Sequence, residues 1–276
     1  MLDQIRSLKA DSLLTDWKPT QDTHAISQAS LSILFKDDLG DVALRRLQHS
    51  VLAIAGELGL VDVSNLDSVL PPELLALGLN PGPSRGVAVV RRNEDGSVAE
   101  RFEVTRDGAT FYDYAYIRWA PFRDRALALL QPAYRTLAEN TTLVHAANEY
   151  TDVFLGKDGV ERPDVREVVD QHSPLIAAAA FRATDDWHCN SGWYEDREPP
   201  LKRVVNVNID VATRGDPGVR TLRMLTRCVE RPLEPEAEAP DWSVIASSFE
   251  ASHQTLKKTL ALALTPAATQ AISLNP

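Results

Sequence analysis

The segment from Arg203 to Leu264 constrains the fold more tightly than any other part of this chain. Val205, Val207, Ile209 and Val211 alternate with Asn206, Asn208 and Asp210, the period-two pattern of a strand with one apolar and one polar face. A Gly/Pro turn and a second strand over Val219 to Glu230 follow. After an acidic, proline-rich break, Trp242, Ile245, Phe249, Ser252, Leu256 and Leu260 form one stripe of a helix running to Leu264, with Asp241 placed to cap it. Two adjacent strands followed by a long amphipathic helix predict an antiparallel sheet with helices against it.

The rest of the chain repeats that grammar. Ala29, Leu31, Ile33 and Phe35 share one side of an early strand, and Asp41 is placed to cap a helix over Val42 to Leu58. Residues 59 to 86 are rich in proline and glycine, with room for one helical turn at Glu73 to Leu77. Strands are expected at Gly86 to Arg92, Val98 to Arg106 and Thr110 to Trp119, joined by turns at Asn93-Glu94-Asp95-Gly96 and Asp107-Gly108. Pro121 then opens a helix whose inner face is Phe122, Ala126, Leu129, Leu130, Ala133 and Leu137, with a kink or early end expected at Pro132. A strand over Leu143 to Phe154, a short helical piece near 163–171 and a strand over Leu175 to His188 precede the Arg203 unit.

These readings predict an α+β fold: antiparallel sheets with long helices packed on one face, in two similar strand-then-helix halves. The boundaries are an N-terminal arm at 1–23, a first half at 24–140 and a second at 141–276. The halves are either separate domains or one continuous domain sharing a core.

The 276 residues carry a net charge of −10, whose field repels nucleic acid and anionic lipid. The start lacks an apolar signal-peptide core, and no apolar run approaches the roughly 20 residues of a membrane span. A cytoplasmic protein with no membrane attachment is expected, and nucleic acid is disfavoured as a partner. Cys189 and Cys228 form no C-x-x-C pair and read as small strand hydrophobes. Phosphate-binding, dinucleotide, nucleophile-elbow, zincin and EF-hand patterns are all missing, so no cofactor is expected.

Three constellations remain. His188 and Cys189 are adjacent, so on a strand they point to opposite faces and make no mutual pair. His145 and Glu149 share a strand side while Asp152 has the opposite parity, an incomplete set of metal ligands. His253, in the middle of the closing helix, reads as a packing or hydrogen-bonding residue.

The third constellation is a polar sheet face. Tyr112, Tyr114, Tyr116 and Arg118 alternate with apolar residues in one predicted strand, as Asn206, Asn208 and Asp210 do in another. A solvated sheet face is polar by default, so the pattern suits an ordinary exposed face. It suits a recognition surface as well, since tyrosines supply amphipathic contact area and Asn and Arg supply oriented hydrogen bonds. Arg223, Arg227 and Arg231 add a basic strand face, which serves edge protection or an acidic partner.

The order of pieces resembles a sporadically distributed bacterial family of uncharacterised proteins. The similarity rests on the strand Ala25 to Phe35 with its helix, on Tyr116-Ile117-Arg118-Trp119 leading into Phe122, on Ile209-Asp210, and on Phe249, His253 and Leu264-Thr265. It spans about residues 24–274 and is weakened near residue 145, where the usual pattern is altered. The resemblance implies no activity and no catalytic residues; the patchy distribution looks like that of accessory genes such as defence or toxin–antitoxin components. The leading expectation is a non-enzymatic binding or sensing module that recognises a protein partner through Tyr112, Tyr114, Tyr116, Arg118, Asn206, Asn208 and Asp210. The alternatives are an enzyme pairing His188 or His145 with Asp210 or Glu149, and a homodimer built on the same face.

Overall fold

The computed structural model describes residues 13–66, 85–182, 186–196, 200–214, 218–234 and 237–274. Ten strands make one sheet: β1 (Trp17–Pro19), β2 (Ile26–Phe35), β3 (Asp62–Asn65), β4 (Gly86–Arg92), β5 (Val98–Thr105), β6 (Gly108–Asp113), β7 (Leu143–Gly156), β8 (Trp187–Glu195), β9 (Leu201–Arg214) and β10 (Val219–Pro232). The helices are α1 (Asp41–Glu57), α2 (Trp119–Ala138), α3 (Trp242–Ala263) and the short α4 (Pro266–Ala271). The fold is α+β, and every strand pair is antiparallel. The order across the sheet is β3-β4-β5-β6-β2-β7-β10-β9-β8, with β1 paired to β7.

Register determines which side chains share a face. One row of direct partners runs Phe102, Phe111, Leu31, Asn148, Cys228, Val205 and Trp193 across seven strands. The first six are buried, and all but Asn148 cluster with Leu47 of α1, Phe122 and Leu130 of α2, and Ile245 and Phe249 of α3. The neighbouring row runs Arg101, Tyr112, Ser30, Glu149, Arg227 and Asn206 on the other face. A second core lies beneath β9 and β10, where Ile209, Leu222 and Met224 meet Leu260, Ala268 and Trp17.

Several local expectations are corrected. The strand expected over Thr110 to Trp119 ends at Asp113, because the Asp113 carboxylate accepts from the Ala115 amide at 2.9 Å and turns the chain. No strand covers Leu175 to 182; that stretch holds turns and a 3₁₀ turn at Ala180–Arg182, and pairing begins at Trp187. Pro132 does not end its helix, which continues to Ala138; burial of Ala133, Tyr134 and Leu137 outweighs the lost backbone bond. Gly40, not Asp41, is the N-cap of α1, and the Asp41 carboxylate instead accepts from Arg106 at 2.6 Å. Asp241 caps α3 by position, without a side-chain bond.

Gly96 has φ of +84°, as its hairpin requires, whereas Gly108 serves close approach: a Cβ there would lie 2.5 Å from the Ile33 carbonyl oxygen. The helical turn expected at Glu73 to Leu77 lies outside the described residues.

Candidate functional site

The inward stripe of β7 reads Ala146, Asn148, Tyr150, Asp152, Phe154, and an aspartate is out of place in it. Asp152 is 1% exposed, and neither carboxylate oxygen has a hydrogen-bond partner among the described residues. Burial without compensation pushes its pKa up to about 7. Opposite it, the pairing of β2 with β7 slips between Ile26 and Gln28, a bulge of the kind that re-aims side chains.

Beside Asp152 stands a connected set of aromatic groups. The Tyr150 hydroxyl lies 3.0 Å from Nδ1 of His253, which α3 holds over the sheet. The His253 ring stacks on Trp119, with centroids 4.2 Å apart and planes 7° from parallel. The Trp119 Nε1–H donates to Glu250 at 2.6 Å, and Arg123 donates to the same oxygen at 3.2 Å. Tyr116 meets Tyr150 edge-on at 5.8 Å. Burial lowers His253 to about 4 and raises both tyrosines above the usual phenol range, so imidazole and phenols are neutral near pH 7.

Asp152, Tyr116, Trp119, Tyr150 and His253 line a cleft of about 710 Å³, a volume suited to a small organic molecule. Ile26, Tyr150, Asp152 and Thr226 form its sheet side, and Tyr116 to Ala120 one wall. His253, Leu256, Lys257 and Leu260 of α3 and residues 270–274 close it further. Ile117, at the mouth, is 74% exposed.

The seven residues expected on one polar face divide between two places. Tyr112 and Tyr114 stay on that face, their rings stacked at 6.2 Å, and Asn206, Asn208 and Asp210 share it. Tyr112 and Asn206 occupy one row but stand four strand spacings apart, about 19 Å. Tyr116 does not belong with them: once the strand ends at Asp113, its ring turns inward and is only 8% exposed, against Phe122 and Tyr150. Arg118 lies beyond the strand, at the N-cap of α2, and lines the cleft.

His145 and Glu149 line a second, smaller hollow of about 380 Å³ on the polar face, together with Tyr112 and Arg227. Burial and the nearby Arg227 lower His145 to about 4, while burial raises Glu149 against the pull of the same arginine, 3.8 Å away. His188 faces Asp210 directly across β8 and β9, two strands from β7, so the two acid–base pairs do not converge. Among the described residues no group of three or more His, Cys, Asp or Glu could hold a metal ion. Likewise no helix among them is long and apolar enough to cross a membrane.

The cleft was only partly legible in the sequence. Its signal was a charged residue at the parity of a buried stripe, and that parity is what removed Asp152 from the company of His145 and Glu149. The approach of α3 and the start of α2 over Asp152 depends on tertiary packing that no local pattern encodes. No protein-family model and no curated protein matches the chain.

Proposed function

We propose that this chain is a non-enzymatic binding protein that takes a small organic molecule into the cleft between β7 and α3. The observation that carries the reading is Asp152, a buried carboxyl with both oxygens unpartnered among the described residues, lining a cavity of about 710 Å³ among tyrosine, tryptophan and histidine rings. A buried acid without partners costs stability, roughly 1–3 kcal/mol or more for a charged group, and such a cost is expected where a ligand supplies the missing donors.

The reading has an architectural side. The long helices cover one sheet face, and two strand-then-helix units meet at the central pair β2 and β7. From that pair the order outward is β6, β5, β4, β3 on one side and β10, β9, β8 on the other. The cleft lies where β7 meets the start of α2 at Trp119 and the middle of α3 at His253.

The test is a fragment screen by ligand-observed NMR on the whole chain and on Ala120→Trp, which fills the cleft from an exposed position on its rim. Fragments should bind the native protein and be lost in the variant, with stability within about 0.5 kcal/mol of the parent. Equal binding to both would refute the cleft as the site.

A second reading, a protein partner on the polar sheet face, is supported by a different observation. One uninterrupted sheet carries Tyr112, Asn206, Asn208 and Asp210 on the same side, with the Tyr114 ring stacked on Tyr112, and the Asn208 side-chain oxygen is buried without a partner among the described residues. Tyr114→Ala with Asn208→Ala should then abolish capture of a partner from the native host, while leaving fragment binding in the cleft unchanged.

A further inference from the structure

The inner end and the mouth of the cleft differ in charge, and the difference selects a class of ligand. Asp152 lines the cleft on its sheet side, and its two carboxylate oxygens, which share one plane, are buried and without partners among the described residues. A planar fork of N–H donors engages two such oxygens at once; guanidinium and amidinium groups present that fork, and an alkylammonium does not. Tyr116, Tyr150 and Trp119 line the same cavity, and flat delocalised cations pack well against aromatic faces. In a site this dry, a charge-assisted bond is stronger than in water.

At the mouth the balance is reversed. Arg118 and Lys257 both line the cleft, and the ion pairs among the described residues include neither, with Asp22 the one other acidic side chain in the lining. Two cations against one carboxylate disfavour a simple cation at the entrance. They favour a molecule with an acid group at its outer end.

We propose that the ligand is a short guanidino or amidino acid, its planar cation on Asp152 and its acid group between Arg118 and Lys257. This rests on the cleft being the binding site. The fork-and-acid pairing separates this class from plain amines and plain carboxylic acids.

The experiment is isothermal titration of the whole chain with guanidinoacetate, 4-guanidinobutyrate, L-arginine and agmatine, the last lacking the acid group. At least one acid should bind, and agmatine should bind at least tenfold more weakly. Asp152→Asn and Arg118→Ala should each weaken the acid at least tenfold with circular dichroism unchanged; Arg118 is exposed, so its removal leaves the fold intact. No binding by any of the acids, or binding that survives Asp152→Asn, overturns the proposal. Fragments of other chemistry that bind the native protein and not Ala120→Trp would then show that the ligand class is wrong and the cleft reading right. If nothing at all binds in an Ala120→Trp-sensitive way, both readings fall together.

Discussion

Asp152 is an acid whose folded form prefers to keep its proton. Its pKa is raised from 3.8 to about 7 by burial, so its contribution to stability is fully present below the unfolded value and is lost as pH rises through the folded one. Asp152→Asn removes the titration and keeps the shape. The variant should match the parent in urea denaturation at pH 5 more closely than at pH 8, where it should be more stable, by an amount on the order of 4 kcal/mol at most. A parent that is equally stable at both pH values would mean that the carboxyl finds a partner after all. At this scale the sequence was half readable: Val205, Ile209 and Phe249 are buried as their spacing predicts, while Tyr116 went to the opposite side because one aspartate turned the chain six residues before the expected strand end.

Elements here are held to each other by a few buried charges as well as by the core. Arg203 and Glu230 face each other across β9 and β10 and are 4% and 1% exposed on their side chains, with Nε to Oε1 at 2.7 Å. Arg203 also donates to Thr255 of α3, tying that helix to the sheet. Removing one member leaves an uncompensated buried charge, so Arg203→Met should cost roughly 3–5 kcal/mol in urea denaturation, and Arg203→Met with Glu230→Met should cost less than the single change. Glu100 plays the same part for α2, held by Arg91 at 3.0 Å and by Arg125 of the helix. None of these pairings could be read from spacing: Arg203 and Glu230 looked like the polar ends of two strands, and only the register brings them together. Helix cores were legible because a 3.6-residue stripe is local, and strand ends were not because side-chain hydrogen bonds decide them.

For the whole molecule, the β2–β7 pair joins strands from residues 24–140 to strands from residues 141–276 in one sheet, so neither stretch owns a complete edge. The chain should unfold in a single transition, with tryptophan fluorescence and far-ultraviolet circular dichroism coincident in urea. Residues 24–140 expressed alone should aggregate, since β2 would expose the long apolar edge that β7 covers. Two separate transitions would show instead that the units are independent. Which distant strands pair was not readable from the sequence, because strand order between distant segments leaves no local trace.

The pairing at the centre of the sheet also sets a timetable for synthesis. β2 is among the first core strands to leave the ribosome, yet Leu31 must wait for Asn148, well over a hundred residues later. At about 5–20 residues per second the delay is roughly 6–24 s. For that interval an apolar strand is in the cell without its neighbour, and the yield of this protein should depend on translation speed and chaperone supply more than its equilibrium stability would suggest.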